Sequence, residues 1–133
     1  MRAALSLALF VSLAPGMALA ADATLEAAHK TYLRYCGSCH GAAGEGDGMV
    51  AAFLTPKPPD LTQLATKSGG TFPAHKVMTY IDGTTDVRAH GDSSMPVWGE
   101  VFKAEAAWDH ARRAEVQGKL LLITEYLRSI QAK

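Results

Sequence analysis

Cys36, Cys39 and His40 stand in one short run, Cys36-Gly37-Ser38-Cys39-His40, and they are the residues of this chain best equipped for chemistry. Two thiols three residues apart, followed directly by an imidazole, have the C-x-x-C-H spacing that attaches a haem through two thioethers. On a helical turn, residues three and four apart share a face. Both sulfurs can then reach the vinyl groups of one porphyrin edge while His40 turns toward the iron. Gly37 and Ser38 are too small to obstruct that edge, and Gly41 lets the backbone leave the ring closely. The chain has no other cysteine. Three other uses compete on the residues alone: a Cys36–Cys39 disulfide, a thioredoxin-type redox pair, and half of a zinc site. A zinc site wants a second Cys or His pair at comparable spacing, and none follows. A thioredoxin-type pair wants alternating strand and helix patterns, which the chain lacks.

A haem iron accepts a thioether, an imidazole or nothing on its second axial side. Met49 follows Gly46-Asp47-Gly48, close to the attachment run; Met78 lies in an apolar helical pattern; Met95 lies in Asp92-Ser93-Ser94-Met95-Pro96. Filling a core is the usual work of a methionine and explains Met78 best. Pro96 fixes the chain beside Met95 and cannot continue a helix through its own amide. That suits a loop carrying a side chain to a defined place. His75 and His90 are imidazole candidates, set against the ordinary surface or hydrogen-bonded roles of histidine. Trp98 has the size of a core aromatic, but beside Met95 it also suits packing on the haem or donating its indole hydrogen to a propionate. Tyr80 and Arg88 are lesser propionate candidates.

Taken together these residues resemble the class I cytochrome c family in its bacterial monohaem form. The resemblance runs through Cys36-x-x-Cys39-His40-Gly41, Pro59-Asp60-Leu61, Met95-Pro96-x-Trp98-Gly99 and Tyr126 near the C-terminus, across nearly all of the chain after residue 20. It implies one covalent haem c, with His40 as proximal ligand, Met95 as distal ligand, and the Pro59 carbonyl accepting from the other His40 ring nitrogen. Such a bond fixes the imidazole tautomer and orientation. It also implies an all-α fold in which the first and last helices cross, with shorter helices and loops wrapping the haem. Ala28 and Tyr32 then face Ile123, Tyr126 and Leu127, alanine standing where that family more often has glycine.

The elements that must position these groups are legible as patterns. Thr24 to Tyr35 reads as an amphipathic helix with Leu25, Ala28, Tyr32 and Tyr35 on one face, ending at the haem motif. Val116, Leu120, Ile123, Leu127 and Ile130 repeat at steps of four and three and mark the clearest helix. Gly44-Glu45-Gly46-Asp47-Gly48 follows no strand and lacks a Gly-Lys-Ser/Thr ending. It is expected to be flexible chain rounding the haem edge rather than a phosphate loop. Asp60 is placed to cap a short helix from Leu61 to Lys67, which Ser68-Gly69-Gly70 ends. Pro73 opens another helix that turns Val77, Met78 and Ile81 inward before Asp82-Gly83. No strand pattern, repeat or second domain is present.

Residues 1–20 carry Arg2, an apolar stretch from Ala3 to Ala14, and the small-x-small ending Ala18-Leu19-Ala20, the order of a secretory signal peptide. An uncleaved anchor is the alternative, weakened by the short apolar run and by Pro15-Gly16. The expected domain is residues 21–133, exported to the periplasm. Cleavage removes one basic residue, Arg2, and no acidic one, so the chain stays nearly neutral. That balance gives no field for nucleic acid and no polybasic patch for strong membrane association. With His40 and Met95 filling both axial sites, the implied function is non-enzymatic: single-electron transfer between redox partner proteins whose identity the sequence does not give. The alternative is a haem c subunit of a larger periplasmic dehydrogenase or oxidase. A peroxidase reading needs an open distal side with His90 as acid-base group, and Met95 beside Pro96 argues against it.

N-terminal sequencing of protein recovered from the exported fraction should begin at Ala21; a start at Met1 would overturn the cleavage.

Overall fold

The computed structural model describes residues 16–84, 95–106 and 111–132. Every regular element among them is helical, and they contain no strand. Helix α1 spans Gly16–Tyr35, α2 is the single turn Gly37–His40, α3 is Leu64–Lys67, α4 is Ala74–Asp82, α5 is Trp98–Glu105 and α6 is Arg112–Ser129. Two 3₁₀ turns, Ala51–Phe53 and Leu61–Gln63, lie between α2 and α3.

The first helix begins at Gly16 rather than at Thr24. Met17-Ala18-Leu19-Ala20-Ala21 are strong helix formers, and no proline or glycine interrupts the run from there to Tyr35. Its buried face is shorter than the pattern implied. Ala28 and Tyr32 are fully buried and Tyr35 nearly so, but Leu25 is 43% exposed. The covered stretch starts only at Ala28, with residues 21–27 all exposed. Leu25 therefore lies about one turn beyond the packed region.

The apolar stripe of α6 is buried at Val116, Leu120, Ile123 and Leu127. The helix ends before Ile130, which packs partly buried against the same core. Among the described residues, helices α1 and α6 make the most extensive interhelical contact. At its centre the Tyr32 and Tyr126 rings lie 4.5 Å apart, and His29 stacks on Tyr126 at 4.7 Å. The small side chain of Ala28 permits this approach. The Thr124 hydroxyl is buried with them and donates to the Leu120 carbonyl at 2.7 Å, so it carries no unmet polar cost.

Helices α4 and α5 lean on α6 and on each other. The former buries Val77 and Ile81 while Met78 packs partly buried; the latter buries Phe102. A polar tie joins α1, α5 and α6. The Tyr35 hydroxyl donates to Glu105 at 2.7 Å, and Lys119 reaches the same carboxylate at 3.0 Å. Asp60 caps the Leu61–Gln63 turn, its Oδ1 accepting from the Thr62 amide at 2.8 Å. Gln131, just beyond α6, donates to the Leu61 and Leu127 carbonyls and accepts from the Ala65 amide. The C-terminus is thereby tied to the segment that follows Pro59. No helix among the described residues is long and apolar enough to cross a membrane.

Ile123 is fully buried at the crossing, so Ile123→Ala should lower unfolding free energy by about 3 kcal/mol. An added β-carbon at Gly118, inside α6, meets nothing within 4 Å; Gly118→Ala should raise stability by about 1 kcal/mol. Denaturant midpoints measure both. A negligible loss in Ile123→Ala would show that the crossing is not the organising core.

Candidate functional site

Helix α1 does not stop cleanly before the cysteines. The Cys36 amide still donates to the Tyr32 carbonyl at 2.8 Å, and from Cys36 a new turn starts, with the His40 amide returning to the Cys36 carbonyl at 2.9 Å. Cys36, Cys39 and His40 are thus held at helical spacings of three and four. The two cysteines are unlinked thiols. Burial, with some help from Cys39, pushes the Cys36 thiol up to about 12, so it stays protonated at neutral pH. A thioredoxin-type attacking cysteine needs the opposite shift.

His40 is 7% exposed, and its Nδ1 lies 3.2 Å from the Pro59 carbonyl oxygen. A carbonyl can only accept, so Nδ1 donates and carries the proton, which leaves the lone pair on Nε2. Burial lowers the His40 pKa and outweighs the opposing pull of the Pro59 bond. The ring is therefore neutral, oriented, and able to donate from Nε2 to a metal. This is the contact that the resemblance implies for the non-ligating nitrogen.

The glycine-alternating stretch after the motif is a bonded clasp and not flexible chain. The amides of Gly46, Gly48 and Val50 donate in turn to the carbonyls of His40, Cys39 and Ser38, at 2.9, 3.2 and 3.0 Å. Only glycine fits where the two strands of backbone meet. A β-carbon on Gly48 would strike the Ser38 carbonyl oxygen and lie 2.5 Å from the Cys39 carbonyl carbon, and one on Gly46 would lie 2.5 Å from the Pro58 carbonyl oxygen. The exit from the motif is anchored by two phenols. Tyr32 donates to the Gly41 carbonyl and Tyr126 to the Ala42 carbonyl, each at 2.8 Å. Burial raises the Tyr32 pKa and keeps that hydroxyl a donor. Sequence reasoning missed the clasp and both anchors. The signal was present in the two-residue glycine spacing directly after the motif, which reads as close backbone approach as readily as flexibility.

Met95 and Trp98 pack partly buried against the common core. Trp98 meets the Tyr35 ring edge-on at 5.5 Å, which connects the Met95 stretch to the residue preceding Cys36. Met49 is 87% exposed and Met78 is partly buried within the core, in line with a filling role. His75 is exposed and Tyr80 is 44% exposed. Arg88 and His90 lie outside the described residues. Among the described residues no three His, Cys, Asp or Glu side chains are grouped to hold a metal ion.

The donors present fit a covalently held haem: two free thiols on one turn, a neutral imidazole with its second nitrogen tethered, and a backbone clasp keeping that turn rigid. No protein-family model, curated protein or solved structure matches the chain.

Gly48→Ala should cost about 2 kcal/mol, because backbone must move on one side or the other. The expected readouts are a lowered denaturant midpoint and lost amide-exchange protection at Gly46 and Val50, measured beside Gly118→Ala. Unchanged protection would show that the clasp is not rigid.

Proposed function

We propose that this chain is an exported class I cytochrome c: a small helical domain that holds one haem c and passes single electrons between redox partner proteins. The observation that carries this reading is His40, neutral and held through Nδ1 by the Pro59 carbonyl, directly after two unlinked thiols on the same turn. Attachment needs no change of oxidation state. Cys36 and Cys39 would each hold the haem by adding S–H across a vinyl group, the sulfur bonding to one carbon and the hydrogen to the adjacent one. A bound haem would supply one-electron chemistry. The chain's own residues do the rest. His40 would hold the iron through Nε2 and Met95 through its thioether, with Trp98 packed on Tyr35, the residue before Cys36. A thioether ligand would favour the ferrous form, and an iron held by both His40 and Met95 would keep no position for a substrate.

One observation favours the alternative of a haem-carrying subunit in a larger periplasmic dehydrogenase or oxidase. Met49, within the clasp, and Phe53, three residues beyond it, are 87% and 86% exposed, which leaves two large apolar side chains for a partner chain to cover. A single monomeric species in native size exclusion supports the carrier, and a stable complex with a catalytic chain supports the subunit.

Protein exported with haem-attachment machinery should be red, with the mass of the chain from Ala21 plus one haem, and should keep its colour on acid-solvent extraction. Met95→Ala should lose the weak sulfur-to-iron absorption band, drop in potential and admit carbon monoxide, while Met49→Leu and Met78→Leu retain the band. Colour that extracts fully would end the haem c reading. A band persisting in Met95→Ala would overturn the distal ligand.

A further inference from the structure

Met95 must be carried to a fixed point if it is to serve as a ligand, and the structure has a device close by that can do this. Helix α4 ends in Asp82-Gly83, and α5 begins just after Val97. The two ends interlock through reciprocal glycine contacts. Gly83 adopts the left-handed conformation with φ of 74°, and a β-carbon there would strike Val97 Cγ1 and lie 3.3 Å from Val97 Cβ. Gly99, in the first turn of α5, rests on Asp82; a β-carbon there would strike both Oδ1 and the carbonyl oxygen of Asp82. Each helix end thus presents a glycine to a side chain of the other. The contact points are adjacent on α4 and two residues apart on α5, so a side chain added at either glycine would meet the opposite helix end. The Asp82 carboxylate also lies at the amino end of α5, where helix dipoles favour negative charge.

Resting on the proposed haem reading, we infer that this α4–α5 interlock sets the position of Met95, which makes Gly83 and Gly99 positioning residues for the distal ligand. Met95 is separated from Val97 only by Pro96, whose ring fixes the backbone torsion between them. Helix α5 is anchored from behind by the fully buried Phe102 and by Trp98 against Tyr35. A displacement at either glycine is therefore relayed to Met95 rather than absorbed. Val97 is seated on Gly83, and the core leaves α5 little room to compensate.

The test uses the haem-loaded protein. Gly99→Ala and Gly83→Ala should retain wild-type covalent haem content and helicity while losing the sulfur-to-iron band and binding carbon monoxide. Gly118→Ala should behave as wild type in all four readouts. Adding Val97→Ala to Gly83→Ala removes both γ-methyls and should restore the band. Because the strained φ persists in that double variant, restoration assigns the loss to the Val97 contact. If Gly99→Ala does not accumulate, the Gly83→Ala single and double variants decide. Glycine variants that keep the band and still exclude carbon monoxide would overturn the interlock alone. Absence of covalent haem in the wild type, or a band that survives Met95→Ala, would instead bring down the functional reading and this inference with it.

Discussion

The hydrogen bond from His40 Nδ1 to the Pro59 carbonyl links the chemistry-bearing turn to the rest of the chain. A proline carbonyl is a sound acceptor only if its own segment is immobile, and several elements hold it. Gly46 lies flush beneath Pro58 and Pro59, and the Leu61 amide donates to the Gly44 carbonyl at 2.7 Å. Gln131 then bridges Leu61 and Ala65 to the end of α6. From the other direction, Tyr32 and Tyr126 reach out of the α1–α6 crossing to fix the carbonyls of Gly41 and Ala42. The orientation of one imidazole therefore depends on packing at both ends of the protein.

Much of this was legible in the sequence, and what was legible depended on side-chain type and periodicity. The cysteines and His40, the α6 stripe, the Asp60 cap and the Gly83 stop are local signals, and each lies where its pattern required. The misses share a different character. Periodicity identified the face of α1 but not how far α6 covers it, so Leu25 was assigned inward although it lies beyond the packed stretch. The start of α1 was hidden because Met17 to Ala21 also satisfy the composition of a cleavage region. The clasp and the α4–α5 interlock escaped because they are made of backbone against backbone or glycine against side chain, with no side-chain pattern to mark them.

Polar groups in this fold fix geometry more than they add stability. The Tyr35 hydrogen bond and Lys119 hold the Glu105 carboxyl below the usual carboxylate range, but the pair with Lys119 is partly exposed and such pairs contribute little in water. What the tie does is restrict how α1, α5 and α6 meet. It also holds Tyr35 with its ring against both Trp98 and Phe102. Because Cys36 follows Tyr35 and Met95 lies three residues before Trp98, this aromatic contact couples the two sides of the proposed iron site through a few side chains.

Burial grades outward from the α1–α6 crossing. Around the crossing, Ala28, Tyr32, Leu120, Ile123 and Thr124 are closed to solvent. Leu61, Leu64, Phe72, Met78, Met95 and Trp98 are only partly covered, though each touches that core, and Met49 and Phe53 are bare. Apolar surface removed from water stabilises by roughly 25 cal/mol per Å², so these six side chains, each mostly buried, add to the core from its rim while the crossing supplies its closed centre. The Tyr32 and Tyr126 hydrogen bonds join the crossing to the chain leaving the Cys36–His40 turn, whereas the Met95 segment meets that unit through the Trp98–Tyr35 contact and is bounded by the close approach of α4 and α5 at Gly83 and Gly99.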